Sequence, residues 1–239
     1  MINITHHLDL VPAYLIHTKN YRDTSLLIDF FTKNDGFITA LAKGIRTLSK
    51  NNKRGLLQPF TQLLINYRGK TELVYLNNIE LAEQPSTFNR HQLRIAFYIN
   101  ELLYHLCRKP VGIVYPNLFE VYQATLNNLK IIDHQDLEAY EPLLREFELD
   151  LLSCLGYGLL FFDINPELNY GYNFTDGFYV MNDGVKPAGS LSLPGDLIVN
   201  IMQRDWSNKE TLTAAKRLLR SIIKYYIGNK ELQSRKLFI

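Results

Sequence analysis

Seven lysines or arginines and no acid occur between Lys43 and Lys70. Cations at such density suit phosphate groups, because they neutralise a polynucleotide backbone and release its condensed counterions whatever the base sequence. Lys43, Arg46, Lys50, Lys53 and Arg54 fall in one polar stretch with Gly44 and Gly55, and Arg68 and Lys70 flank Gly69. Arg22 belongs to the wider segment from Lys19 to Lys70, in which ten cations face three acids. These eight side chains are candidate DNA contacts. Phe30, Phe31, Phe37, Phe60, Tyr67 and Tyr75 add rings able to stack on bases wherever one faces solvent, although burial in a core is the commoner use of an aromatic.

The formal charge of +2 conceals a segregated chain. From Asp133 to Asp176 ten acids face Arg145 alone, and from Asp205 onward eight cations face three acids. Glu141, Glu146, Glu148 and Asp150 read as a solvated helix face in preference to a pair of catalytic carboxylates. Lys216, Arg220 and Lys224 recur at four-residue steps with Arg217 beside them, so they share one helix face. Lys216, Arg217 and Arg220 are candidate partner contacts; DNA and protein remain open as the partner.

Other chemistry lacks its motifs. No GxxxxGK[ST] or GxGxxG run is present to cradle phosphates. His105 and Cys107 sit two apart, about 200° around a helix, which is wrong for shared metal ligation. Ser153 and Cys154 have no histidine nearby in sequence, and Cys107 and Cys154 lie in apolar patterns that suit buried thiols. No cofactor or metal is expected, and the chain is not expected to be an enzyme. No apolar run is long enough for a membrane span, and MINITHHLDL lacks the features of a signal peptide, so a cytoplasmic, nucleoid-associated protein is expected.

The elements that must position the cations follow from periodicity. Short apolar runs at 14–17, 26–31, 37–42, 61–67 and 73–76, bounded by turn residues, predict five strands. Asn34-Asp35-Gly36 and Arg68-Gly69-Lys70 supply hairpin turns, hence antiparallel neighbours, and the basic stretch is the long connection between strands three and four. Such a barrel is what an OB-fold looks like in sequence. Leu93, Ala96, Phe97, Asn100, Leu103, Tyr104 and Cys107 mark an amphipathic helix ending near Pro110; a second begins about Pro116, and a third runs from about Gln135 to Leu155 with Gly156 as its cap. Three helices in sequence predict a bundle. Residues 157–193 are irregular, with a short strand at 177–181; helices are predicted over 197–203 and 211–227. The fold class is therefore α+β: a five-stranded OB-fold barrel, residues 1–83, then a mainly helical domain, residues 84–239, with a small irregular or β insertion.

Particular strings then matter. Tyr14-Leu15-Ile16-His17, Asp23-Thr24-Ser25-Leu26-Leu27, Leu41-Ala42-Lys43-Gly44-Ile45-Arg46 and Leu57-Gln58-Pro59-Phe60-Thr61, in that order, resemble the N-terminal barrel of the RecO family. Arg145-Glu146-Phe147-Glu148-Leu149-Asp150, Leu155-Gly156-Tyr157-Gly158, Ala214-Ala215-Lys216-Arg217 and Leu232-Gln233-Ser234-Arg235 extend the resemblance over nearly the whole chain. It implies ATP-independent binding of single- and double-stranded DNA, annealing of complementary strands, and three partners: RecR, the acidic C-terminal tail of single-stranded DNA-binding protein and, indirectly, RecA. It also implies that Arg145 contacts that tail. Some members carry a four-cysteine zinc site between the third bundle helix and the C-terminal helix; Tyr157 to Leu193 has no cysteine, so zinc is not expected. The competing readings are a protein–protein adaptor without direct DNA binding and a hydrolase using the acidic segment.

Overall fold

The computed structural model describes residues 9–47, 53–69, 73–108, 110, 112–133, 136–159, 163–181, 191–228 and 230–238; Lys50 and Lys70, both candidate contacts, lie outside the described residues. Packing divides the chain into two compact units, Met1–Lys130 with Leu232–Ile239, and Ile131–Glu231.

In the first unit β1 (Val11–Tyr21), β2 (Ser25–Thr32), β3 (Gly36–Ala42), β4 (Gln62–Arg68) and β5 (Leu73–Leu81) close a barrel in the order β1-β2-β3-β5-β4. The predicted hairpins β2/β3 and β4/β5 are antiparallel, but β3 and β5 run parallel and β4 returns to β1, so the meander is completed into a closed OB barrel. Alternation along the strands sends Ala13, Leu15, Ile28, Phe30, Ile38, Leu63, Ile65, Tyr67 and Val74 into its core. Phe31 points the other way, yet it is buried too, because α2 (Leu118–Ile131) covers that face: Phe31 meets Phe119 at 5.5 Å, and Tyr14 meets Tyr122 at 4.9 Å.

The β2–β3 turn shows how tightly this unit is built. Gly36 has φ 61°, and a Cβ there would overlap the Ile113 carbonyl oxygen, while the Gly112 N–H donates to Phe37 O at 3.1 Å. Gly36→Ala is expected to destabilise the chain by about 2–3 kcal/mol, from the left-handed backbone penalty plus displacement of the 112–114 strand of chain. Urea denaturation measures it, and an unchanged midpoint would show that the turn relaxes freely.

The first helix, α1 (Arg90–Cys107), begins with a capping box in which Asn89 accepts from the Gln92 N–H and Gln92 Oε1 accepts from the Asn89 N–H. Its buried residues are Gln92, Ile95, Ala96, Tyr98, Ile99, Asn100, Leu102, Leu103 and Cys107, whereas Leu93 and Phe97 of the predicted stripe are exposed. The buried face is turned because α1 has neighbours on several sides: Gln92 donates to Leu129 O, Tyr122 donates to Asn100, and Glu101 accepts the N–H groups of Gln233 and Ser234. These last belong to a closing 3-10 turn, Gln233–Phe238.

The second unit contains α3 (Tyr140–Cys154), a sheet ordered β7-β6-β8 from β6 (Asn169–Asn173), β7 (Gly177–Val180) and β8 (Ser192–Pro194), then α4 (Gly195–Met202) and α5 (Lys209–Ile227). The three helices predicted as a bundle are divided between the two units. Helices α1 and α2 belong with the barrel, and α3 shares a core with α4 and α5 through Leu152, Ile198, Ile201, Leu218, Leu219 and Ile222. Gly156 and Gly228 take positive φ as helix stops. Around the sheet Tyr170 is buried, Tyr172 touches Phe174 and Phe178, and Phe174 stacks on Tyr225 at 4.4 Å.

The acidic run is not a solvated face. Glu146 and Asp150 hold the Arg204 guanidinium, Trp206 donates to Glu146, and Glu138 and Glu141 pair with Lys209 (2.8 Å) and Lys216 (3.0 Å). Glu148 is buried beside Arg145. Apart from Arg145 and Glu148, three residues apart on α3, the opposite charges lie more than fifty residues apart in sequence, so packing brings them together.

Candidate nucleic-acid interface

The cations that the chain spreads over forty-odd residues meet along one part of the barrel. The β1–β2 turn lies beside the chain leaving β3, for the Arg46 N–H donates to Thr24 O at 3.0 Å and Arg46 Nη1 to Arg22 O at 3.3 Å. Arg22 is exposed, in the left-handed region at φ 51°, with its guanidinium 5.4 Å from the Tyr21 ring. Lys43, the first residue past β3, places Nζ 4.8 Å from the centre of the Tyr75 ring, and Tyr75 is paired in register with Arg68. Lys53 Nζ donates to Asn78 Oδ1 at 3.0 Å.

Arg22, Lys43, Arg46, Lys53 and Arg68 thus form a belt, and Arg54 is exposed beside Lys53 in a 3-10 turn, Lys53–Leu56. Lys43 and Lys53 line a groove of about 300 Å³ whose other walls include Ile45, Leu76, Asn77 and Asn78, with no acid among its lining residues. Ile45, Leu56 and Leu57 pack against the barrel core, so the described ends of the connection, which carry Lys43, Arg46, Lys53 and Arg54, are anchored. Cations carried on an anchored backbone leave only their own side chains to be ordered when a phosphate binds.

Burial separates the aromatics. Phe30, Phe31, Phe37, Phe60 and Tyr67 are core, while Tyr75 is 41% exposed and stands at the belt. Tyr67 donates instead to Asp35; burial first, and that carboxylate second, push its phenol far above the ordinary range. Tyr21, Asn77 and Asn78 are residues that sequence reasoning passed over. Their one signal is Asn77-Asn78 itself, two residues that disfavour strands placed inside one.

The C-terminal candidates are arranged differently. Lys216, Arg217 and Arg220 are exposed on α5, with Lys216 paired to Glu141. Arg145 is not exposed: its side chain is 6% accessible and that of Glu148 2%, with Nη2 donating to Oε1 at 3.3 Å and Nε in ionic contact with Oε2 at 3.2 Å. Among the described contacts nothing joins Arg145 to the α5 cations.

Among the described residues no group of three or more His, Cys, Asp or Glu side chains is placed to hold a metal ion, and no helix is long and apolar enough to cross a membrane. Cys107 is buried, and burial together with the Asp150 carboxylate pushes the Cys154 thiol up. Both thiols are therefore poor nucleophiles at neutral pH. Alkylation at pH 7 should be slow in the native chain and fast after denaturation; a rapid native reaction at Cys154 would contradict this placement.

Two family profiles match the chain, one described as Recombination protein O N terminal at residues 10–85 and one as Recombination protein O C terminal at residues 88–236. DNA repair protein RecO of Cellvibrio japonicus is 40% identical over 237 residues, 96% of each chain. The protein of that name from Tolumonas auensis is 37% identical over 96% of this chain and 95% of its own, and that from Pasteurella multocida is 36% identical over 95% and 92%. Both profiles fall in the order the strings suggested, and the relatives align along almost their whole length, so this chain belongs to the RecO family.

Proposed function

We propose that this chain is a DNA-repair and recombination mediator that works by binding rather than by catalysis. It holds single- and double-stranded DNA on the barrel belt, anneals complementary strands and, with RecR, helps load RecA onto DNA coated by single-stranded DNA-binding protein. The observation that carries the reading is that Lys43 and Lys53 line one groove of the barrel while Arg22, Arg46 and Arg68 lie on the segments beside it, so that their charges add. Lys50, Arg54 and Lys70 extend the same basic run in sequence. Residues 1–83 serve as the DNA-binding domain and 84–239 as the helical domain in this reading, and the work is done in the cytoplasm, at the nucleoid. The exposed Lys216, Arg217 and Arg220 are proposed to meet a protein partner, with the acidic tail of single-stranded DNA-binding protein as the chemistry that fits them. Arg145 is proposed to serve that contact too, supported by the family resemblance.

Titration of binding against salt tests the central claim. Phosphate contacts predict affinity for oligonucleotides that falls steeply between roughly 50 and 200 mM salt, with a log–log slope of about −0.7 per contact on single strands. A chain with no oligonucleotide affinity at any of these salt concentrations would be an adaptor. Annealing of protein-coated strands, with and without the coating protein's acidic tail, tests the partner: the rate should depend on the tail.

A further inference from the structure

Phosphate binding accounts for the cations but not for what lies between them. Strand β5 carries Tyr75 and Asn77 on its exposed side, and the register of β5 against β4 runs Asn66↔Asn78 and then Tyr67↔Leu76, so Asn77 is the extra residue of a β-bulge. A bulge re-aims side chains, and two asparagines contribute little to a sheet. Departures from local preference of this kind concentrate where a site is built. Asn77 Nδ2 donates to Asn66 Oδ1 at 2.9 Å, which leaves the Asn77 carbonyl oxygen as an acceptor. Asn78 is spent on Lys53 and Glu80 and holds the groove's shape. Ala42, Ile45, Leu76 and Ile79 give the groove apolar wall beside the polar Thr47, and the Tyr75 ring stands next to it, in contact with the groove's Lys43. A ring, apolar walls and an amide edge suit a nucleobase, whereas a phosphate needs none of them.

The geometry points to a base-capture subsite at Tyr75 and Asn77, which takes one unpaired nucleobase while the surrounding cations hold the phosphates on either side. This rests on the nucleic-acid reading above and adds to it that the strand's bases, and not only its backbone, are gripped. Lys43 Nζ now lies over the Tyr75 ring. A base and an ammonium compete for that π face, so the base takes the ring and the flexible lysine moves to the adjoining phosphate. In a duplex the bases are stacked on one another and cannot reach Tyr75 without being extruded. The subsite therefore grips single strands and lets go once they pair, so the annealed product is held by the cations alone.

The test uses the full chain and three probes of equal length: a single strand with bases, an abasic strand with the same phosphates, and a duplex. The wild type should bind the base-bearing strand about tenfold more tightly than the abasic one, the stacking worth of a single base. Tyr75→Ala should remove that tenfold and leave abasic and duplex affinity unchanged; Tyr75→Phe should keep it; and Asn77→Ala should weaken the base-bearing strand alone. An exposed position makes loss of fold avoidable, and a thermal melt of each variant checks it. Equal wild-type affinity for base-bearing and abasic strands, or an equal fall on all three probes in Tyr75→Ala, overturns the subsite while leaving the phosphate belt standing. Failure of the wild type to bind any probe overturns the nucleic-acid reading itself.

Discussion

Replacing Lys43, Arg46 and Lys53 together with glutamate is expected to lower affinity for a single strand by about 100-fold at roughly 100 mM salt and to make the salt slope shallower by about 2, the loss of three proposed phosphate contacts at ~0.7 each. The loss is large because each replacement removes an attraction and installs a repulsion at a groove whose walls carry no compensating charge. Neutral replacement with glutamine removes only the attraction and should cost about tenfold, with the same change in slope. Stability should hardly move, since Lys43 and Lys53 are exposed and the bonds given up are those of Arg46 to Arg22 and Lys53 to Asn78, both at the surface. Electrophoretic mobility shift or fluorescence anisotropy across a salt series reads both quantities. Charge reversal at Lys216, Arg217 and Arg220, in the other compact unit, is the matched control. If strand affinity survives reversal of the belt and falls with the control, the DNA site is on α5 and the barrel reading is wrong.

The second large effect is on stability. Arg145→Met leaves the Glu148 carboxylate buried without its guanidinium, and breaking one side of a buried ion pair costs about 3–5 kcal/mol. For a chain of this size that is a fall in melting temperature on the order of 10 °C. Arg145→Met with Glu148→Leu removes both charges and should recover most of the loss, because a well-packed apolar pair is about as stable as a desolvated ionic one. A contact of Arg145 with an acidic tail makes a separate demand. The double variant, though stable, should then lose tail binding, whereas an Arg145 that serves only Glu148 predicts a stable double variant with tail affinity intact. Calorimetry and peptide titration on the same preparations distinguish the two. A single variant as stable as the wild type would show that Glu148 is satisfied by other neighbours.

Much of the fold is written in local pattern. Short apolar runs bounded by turn residues located all five barrel strands, since both signals are set by neighbours in the chain. Gly36, Gly156 and Gly228 adopt the positive φ that their turns and helix ends require, a demand that depends on nothing beyond a few residues. The acid-free basic run is visible in composition, and the structure places Lys43, Arg46, Lys53 and Arg54 of it on the connection between β3 and β4.

What the chain's pattern left open was each question whose answer lies with a distant partner. Phe30 and Phe31 were seen to face opposite ways, but only the packing of α2 against the barrel shows that both are covered. Phe97 was placed in the buried stripe of α1, and contacts from the C-terminal turn and α2 rotate that stripe away from it. The acids of α3 looked solvated because their cations, Arg204, Lys209 and Lys216, are more than fifty residues downstream. Tyr75 is the one exposed ring of the six, and Asn77 is the extra residue of a bulge, features of burial and register that no window of sequence reports. Propensity and charge act over a few residues and can be summed along the chain; solvent exposure and ion pairing are properties of surfaces, and a surface exists only once remote segments have met.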